Sequence, residues 1–336
     1  MKYWISVRKV QAGRFTDKPE PGPTRYLRVP DTEVPAPNHQ IGMSQWIKEI
    51  IALFPPSPTD PKKGPAGDLL FFVHGYNNTV EEVDSRHRRI QAGLTANNFS
   101  CPVVSFDWPS GHSALGYLED RDNARITAVR LVSGGIKPFV QAQDQPCNIR
   151  VHVLGHSTGA FVVREAFDHA DDGQVTATSW TAGQLVLIAG DVSSISFSAD
   201  DPETESTYRH CYRLTNYSNA YDEVLQISNV KRIGLAPRVG RVGLPLDAPQ
   251  KAVNVDCSYY FWSKYEKSQG TEDFLLTSHS WYFSDEVFHK DLAITLRGTI
   301  DRHVIPTRST PEPAGMRPLV TMSSLINIRQ EPPPRG

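Results

Sequence analysis

The tightest constraint in this sequence is Gly155-His156-Ser157-Thr158-Gly159, preceded by Arg150-Val151-His152-Val153-Leu154 and followed by Ala160-Phe161-Val162-Val163-Arg164-Glu165-Ala166. The first flank is β-branched and apolar, as in a short buried strand, and the second has the apolar spacing of an amphipathic helix. A glycine on each side of the serine lets the backbone turn sharply where a Cβ would collide with neighbouring main chain. A serine at the tip of such a turn projects beside the positive N-terminal end of the helix, where an oxyanion is stabilised. In that strand–turn–helix context a G-x-S-x-G match marks a nucleophile elbow. The plain alternative is a Gly-Ser turn that merely joins two core elements.

The flanking sequence predicts the sheet that would carry this turn. Leu69-Leu70-Phe71-Phe72-Val73 is a continuous apolar run, as in a strand buried on both faces of a parallel sheet, and it leads into His74-Gly75-Tyr76-Asn77-Asn78. A helix is expected from about Thr79 to Leu94, and a second buried strand at Val103–Phe106 ends in Asp107-Trp108-Pro109-Ser110-Gly111. A long helix over Glu119 to Val140 is expected to break near Gly134-Gly135. The strand Leu185–Ala189 ends in Gly190-Asp191, a strand runs from Arg209 to Leu214, and a short helix covers Tyr221 to Ile227. Strands alternating with helices at this spacing predict an α/β fold, a doubly wound, mostly parallel sheet with helices on both faces. Such sheets bind ligands at the carboxyl ends of their strands, and Gly75, Ser157, Asp191 and Asp222 all fall just after predicted strands.

Three regions are expected along the chain. Residues 1–64 read as two edge strands (residues 1–10 and 26–29), Pro-rich loops and a helix over Gln45 to Phe54 capped by Ser44, all joined to the main sheet. Residues 65–304 form the main α/β domain, with a surface loop over Gly234 to Pro249 and a last helix capped by Ser284. Residues 305–336 are a Pro-rich tail with the composition of a disordered segment.

The formal net charge of −2, with no block of like charge, gives no reason to expect a nucleic-acid or membrane partner. Cys101, Cys147, Cys211 and Cys257 form no CxxC pair, which suits a reduced, cytoplasmic protein. Met1 to Val10 alternates and carries charge early, unlike a signal peptide, and no run reaches the roughly 18–20 apolar residues that span a bilayer.

A serine hydroxyl needs an adjacent base, itself held in one tautomer by a third group. Two acids compete for that third place: Asp222, one strand beyond the elbow unit and otherwise a helix cap, and Asp191, which directly ends the strand after the elbow helix and otherwise caps a turn. For the base, His279 in Leu275-Leu276-Thr277-Ser278-His279-Ser280 is read as lying on a polar loop ahead of the last helix, free to reach over the sheet, whereas His289 sits within that helix and His303 near the tail. Two backbone donors for an oxyanion are expected: the Thr158 N–H after the serine, and the Tyr76 N–H, with Gly75 permitting close approach. His74, Gly75, Trp108, His156, Asp191 and Trp281 are the expected pocket residues, although buried aromatics can equally be core. His152 and His156 are separated by strand and turn, so they share no helical face and are not expected to ligate a metal. No cofactor is expected.

Taken in order, Phe72-Val73-His74-Gly75-Tyr76-Asn77, Asp107-Trp108-Pro109-Ser110, Tyr117 with Asp120 and Asn123-Ala124, Gly155–Gly159, and Asp222-Glu223-Val224-Leu225 resemble the α/β-hydrolase superfamily. They look most like a bacterial esterase/lipase-like branch classed as a domain of unknown function. The resemblance covers about residues 65–300. It implies the α/β-hydrolase fold, with Ser157 as nucleophile, Asp222 as acid, His279 as base, and the Tyr76 and Thr158 amides as oxyanion hole. The expected activity is a serine hydrolase that cleaves a carboxylic ester through an acyl-enzyme, taking a small-molecule or acyl substrate. An acyltransferase using the same residues, and an idle hydrolase fold acting as an interaction module, are the alternatives. The segment from Asp191 to Tyr208 is short and carries Asp200, Asp201, Glu203 and Glu205, so little or no cap domain is expected, and small or soluble esters suit the site better than lipid.

Overall fold

The computed structural model describes residues 1–58, 60, 62, 64–110, 117–141, 148–172, 180–230, 236–302, 304–309 and 317–319. The chain begins with β1 (Lys2–Ser6), a hairpin of β2 (Arg8–Gln11) and β3 (Arg14–Pro19), then β4 (Arg25–Val29), β5 (Gln40–Ile41) and α1 (Met43–Ile51). The alternating unit follows: β6 (Ala66–Val73), α2 (Val80–Ala96), β7 (Val103–Asp107), α3 (Tyr117–Arg130), α4 (Lys137–Gln141), β8 (Asn148–His156), α5 (Thr158–Asp172) and β9 (Ala182–Ile188). It continues through α6 (Pro202–Arg209), β10 (Cys211–Ser218), α7 (Glu223–Val230), α8 (Val239–Val242) and β11 (Ala252–Asp256). The chain closes with α9 (Ser258–Tyr265), α10 (Glu272–Ser280), α11 (Glu286–Arg297) and β12 (Arg317–Pro318).

Ten strands form one sheet in the order β12-β11-β10-β9-β8-β6-β7-β1-β4-β5, parallel except where β4 pairs with β1 and with β5. The apolar run of β6 explains its central place. Leu69, Phe71 and Val73 pack to one face with Phe139 and Phe161, while Leu70 and Phe72 pack to the other with Val83, Ile90 and Phe288. Successive side chains of a strand point to opposite faces, so only a strand apolar at every position can sit between two helical layers. The protein has the α/β-hydrolase architecture: a large, mostly parallel sheet with helices on both faces. Between Asp191 and Arg209 there is only a 3-10 turn at Ile195–Phe197 and α6, which packs on α5, so this segment forms no cap domain.

Several elements differ from the expectation. β1 is not an edge strand; it lies between β7 and β4 with Trp4 and Ile5 fully buried, because its alternate residues are apolar on both faces and Lys2 is neutralised by Asp84 at 2.6 Å. The true edges are the two-residue strands β5 and β12. The helix expected from Gln45 begins at Met43 with Gly42 rather than Ser44 at its N-cap. The expected break near Gly134-Gly135 is a π-helical turn over Leu131–Ile136. β10 runs on to Ser218, pairing with β11 through that residue, and the buried Asn216 Nδ2 donates to the Val239 carbonyl and to Asn254 Oδ1.

His279 lies in the last turn of α10, not on a loop; Thr271 caps that helix by accepting the Phe274 amide. The described part of the tail docks onto the sheet. Arg308 is buried against Asp291 and Tyr217, and the Leu319 amide donates to the Asp256 carbonyl. The remaining tail residues, Cys147, His303 and the Gly111–Gly116 stretch lie outside the described residues. Among the described residues, no helix is long and apolar enough to cross a membrane.

Candidate active site

The chain leaves β6 through α2, whose Val83 and Ile90 pack on one face of the sheet, and leaves the adjacent β8 through α5, whose Phe161 and Val163 pack on the other. Connections that part to opposite faces open a crevice at the carboxyl ends of the two strands. Gly75 and Ser157 meet there. A Cβ built on Gly75 would lie 2.7 Å from Ser157 Cβ and 3.1 Å from the His156 carbonyl. Ser157 itself has φ +54°, a left-handed conformation unusual for a side chain with a Cβ. It is held there by its own amide, which donates to the Ile188 carbonyl at 3.1 Å, and by the Asp191 amide, which donates to its carbonyl at 3.0 Å. Gly159 must lack a Cβ because one would sit 2.3 Å from the Val73 carbonyl oxygen. The elbow is thus wedged between the ends of β6 and β9.

The two candidate acids have different partners. Asp222 is fully buried; its Oδ2 lies 2.8 Å from His279 Nδ1, and its Oδ1 accepts the Leu225 amide at 2.9 Å, capping α7. Asp191 is also buried, but it faces Arg238, with 3.3 Å between Arg238 Nε and Asp191 Oδ1. With Nδ1 donating to Asp222, Nε2 of His279 is the nitrogen left to act on a proton. The α7–α10 contact that holds this pair is pinned by Asn219, whose Nδ2 donates to the Ser278 carbonyl at 3.0 Å, and by the Glu223 amide on Ser278 Oγ at 3.1 Å. His279 in turn lies beside the elbow, its ring centroid 4.8 Å from that of His156.

The turn after β6 is rigid for reasons the sequence places close together. His74 Nδ1–H donates to the Gly75 carbonyl at 2.8 Å, and Asn78 Nδ2 donates to both the Gly75 and Tyr76 carbonyls at 2.8 Å. In a trans peptide the C=O and N–H point in opposite directions, so anchoring the Gly75 carbonyl aims the Tyr76 N–H away from His74 and Asn78. His74 Nε2 accepts the Trp108 amide at 3.2 Å, and the two rings stack at 5.5 Å. Nε2 also lies 3.3 Å from Asp107 Oδ1, and complete burial pushes the His74 pKa down against the pull of that carboxylate. Thr158 opens α5, where the first N–H groups have no partner within the helix.

The N-terminal strand supports this turn from below. Arg8, which follows β1, is buried; its Nε donates to Asp107 Oδ1 at 2.8 Å, its Nη1 reaches Asp17 at 3.0 Å, and its Nη2 donates to the Asn78 carbonyl at 3.1 Å. Burial alone would raise the Asp107 pKa, but the charge of Arg8 and hydrogen bonds hold it below the ordinary carboxylate range. Sequence reading did not single out Arg8, Asn78 or Arg86. Asn78 was findable as the residue that closes the His74–Asn78 turn, whereas Arg8 meets Asp107 across almost a hundred positions.

Two expected pocket residues are core instead. Trp281 packs among Tyr260, Phe261, Tyr282 and Phe288 and is 2% exposed, and Trp108 is fully buried under the His74 turn, its Nε1 donating to the His74 carbonyl at 2.7 Å. His289 lies in α11 against Gly93, away from this cluster. His152 is bonded to Asp68 at 2.9 Å, near the start of β6, while His156 is at the strand end with the elbow.

Residues 59–252, more than half of the chain, match the family described as alpha/beta hydrolase of unknown function (DUF900), and the protein belongs to that family. The match takes in Ser157 and Asp222 and ends before His279. No curated protein matches the chain. Among solved structures, it is similar to the phospholipase PlaB from Legionella pneumophila at 15% identity, over 47% of this chain and 40% of that one, with a TM-score of 0.28. It is similar to a putative cell surface hydrolase from Lactobacillus plantarum WCFS1 at 10% identity, over 64% of this chain and 97% of that one, with a TM-score of 0.32. A lipase-esterase related protein from Clostridium acetobutylicum ATCC 824 is similar at 14% identity, over 70% of this chain and 95% of that one, with a TM-score of 0.27. The chain spans less than half the length of the phospholipase.

Proposed function

We propose that this α/β hydrolase cleaves carboxylic esters through an acyl-enzyme on Ser157. The observation that carries the reading is the 2.8 Å contact between Asp222 Oδ2 and His279 Nδ1, formed directly beside the elbow. His279 Nε2 takes the Ser157 hydroxyl proton as Oγ attacks the ester carbonyl. The negative charge moves to the carbonyl oxygen, where the Thr158 and Tyr76 amides receive it. The C–O bond to the leaving alcohol then breaks, and His279 returns the proton to that oxygen. Water repeats the sequence on the acyl-enzyme: His279 takes its proton, the acid is released, and Ser157 is re-protonated. Asp222 stays ionised throughout and holds the ring.

Small or soluble esters are the proposed substrates, since the Asp191–Arg209 segment supplies no apolar lid among the described residues. The test is steady-state hydrolysis of p-nitrophenyl acetate and p-nitrophenyl dodecanoate by the full chain and its Ser157→Ala variant. The reading expects turnover that favours the acetate and disappears in the variant. Equal turnover by Ser157→Ala would reject it.

A further inference from the structure

Arg86 projects from α2 with its guanidinium carbon 5.0 Å from the centre of the Phe283 ring and its Nη1 3.5 Å from His156 Nδ1. Among the described residues it forms no ion pair; Glu82, one turn earlier, is turned back onto the Thr79 amide at 2.7 Å as part of the α2 capping box. A mostly buried arginine with no carboxylate partner is costly unless its donors are used elsewhere. The acceptor it meets is the ring nitrogen of His156. The other ring nitrogen, Nε2, lies 3.1 Å from the main-chain oxygen of His279. A carbonyl can only accept, so Nε2 carries the proton and Nδ1 presents its lone pair to Arg86. The His279 carbonyl is free to accept because it falls in the last turn of α10, where carbonyls lack intrahelical donors.

We infer that His156 is the positioning residue for His279: it anchors the main chain of the candidate base to the elbow, with Arg86 fixing the tautomer that makes this possible. The inference rests on the reading of His279 as the base of a serine hydrolase. Among the described residues the side chain of His279 makes one hydrogen bond, to Asp222, which sets the ring's rotation. Its distance from Ser157 depends on where the backbone of α10 ends, and His156 is covalently next to Ser157. One hydrogen bond therefore ties the base to the nucleophile's own strand. Phe283 closes the other side, its ring 4.9 Å from His156. Burial, followed by the nearby Arg86 charge, holds His156 far below the ordinary imidazole range, so it stays neutral and does not compete with His279 for the serine proton.

The test compares His156→Gln, whose amide nitrogen can replace Nε2, His156→Leu, which cannot donate, and Arg86→Met, which keeps the stem without the donor. Two readouts are taken on the full chain: kcat and KM for p-nitrophenyl acetate, and the low-field proton resonance of the His279–Asp222 hydrogen bond in the ligand-free protein. A misplaced base costs about 100-fold in rate, so His156→Leu should lower kcat by roughly that factor at nearly constant KM. His156→Leu should also broaden or remove the low-field resonance, His156→Gln should retain both signals, and Arg86→Met should fall between. A folded His156→Leu with wild-type kcat, or with an unchanged resonance, overturns the inference. If His156→Leu does not fold, a folded His156→Gln that retains the resonance beside a folded Arg86→Met that weakens it supports the inference, and a His156→Gln that loses the resonance or an Arg86→Met with wild-type kcat and resonance overturns it. Absence of Ser157-dependent turnover in the wild type rejects the ester-hydrolase reading instead, and the resonance still reports separately on whether His156 positions His279.

Discussion

Asp222 serves two partners with its two oxygens: Oδ2 lies 2.8 Å from His279 Nδ1, and Oδ1 accepts the Leu225 amide at 2.9 Å. The helix-capping role and the base-orienting role that the sequence sets against each other are filled by one carboxylate. Asp222→Asn keeps an oxygen for the cap but places an amide nitrogen or a neutral acceptor against His279. The imidazole then loses its preferred tautomer and the charge that stabilises its protonated form. A fall in kcat of about four orders of magnitude is expected, with little change in thermal midpoint.

Asp191→Asn should do the reverse. Its carboxylate faces the buried Arg238, not His279, and removing one partner of a buried pair costs about 3–5 kcal/mol. The expected result is a lower thermal midpoint with kcat nearly intact in the folded fraction. If Asp191→Asn abolishes turnover while Asp222→Asn does not, the acid is misassigned.

Gly75→Ala and Gly159→Ala separate the site from the fold. The added Cβ at Gly75 meets Ser157 Cβ at 2.7 Å, His156 Nδ1 at 3.0 Å and the His156 carbonyl oxygen at 3.1 Å, all at the site itself and less tightly than at Gly159. At Gly159 it meets the Val73 and His74 carbonyl oxygens at 2.3 and 2.6 Å, main-chain atoms that cannot yield. Gly75→Ala should fold with crippled turnover, whereas Gly159→Ala should fail to accumulate as folded protein. Circular dichroism melts and turnover on the soluble fractions check both.

The difference between legible and hidden features follows the range of the interactions. The elbow was legible because strand, glycines, serine and helix are contiguous, and β6 because an unbroken apolar run has few alternatives to a two-faced strand. The sequence of α10 resembles a loop because Thr277, Ser278 and Ser280 weaken its apolar pattern; its Thr271 cap and the burial of Phe274 against Phe261 make it a helix in three dimensions. Trp281 looked like a pocket wall because it neighbours His279 in sequence, but the 3-10 turn at Trp281–Ser284 carries it into the core. Arg8 and Arg86 were invisible because their partners, Asp107 and His156, are fixed only by strand order.

Arg8 makes the N-terminal strand part of the site. Arg8→Met removes the guanidinium from the buried Asp107, leaving that carboxylate only the Ser6 hydroxyl and His74 among the described residues, and releases the Asn78 carbonyl, so it should cost about 3–5 kcal/mol in urea unfolding. Arg8→Met combined with Asp107→Asn should recover most of that loss, because no uncompensated charge remains. A double variant no more stable than Arg8→Met alone would contradict the assigned pairing.

Stability should fall on mild acidification. His74, His87, His152, His156 and His289 are all held below the ordinary imidazole range, burial being the largest cause for each, and His87 is pushed down to about 3. Unfolded histidine titrates near pH 6.5, so below that pH the unfolded chain binds protons that the folded chain cannot, and each such group costs about 1.4 kcal/mol per pH unit. This contribution is complete above roughly pH 6.5 and is lost as pH falls towards the folded-state values. Urea midpoints at pH 7.5 and 5.5 should therefore differ, the lower midpoint being at pH 5.5. Equal midpoints would contradict the neutral assignment of these rings.

The most direct measurement of the central claim is intact-protein mass spectrometry after treatment with a fluorophosphonate, followed by peptide mapping. An activated serine attacks the phosphorus and expels fluoride, leaving one phosphonyl group on the protein. The account predicts a single adduct on Ser157 in the wild-type chain, none in Ser157→Ala, and strongly slowed labelling in His279→Ala. A folded wild-type protein that takes up no label at Ser157, or one labelled equally fast without His279, would contradict it.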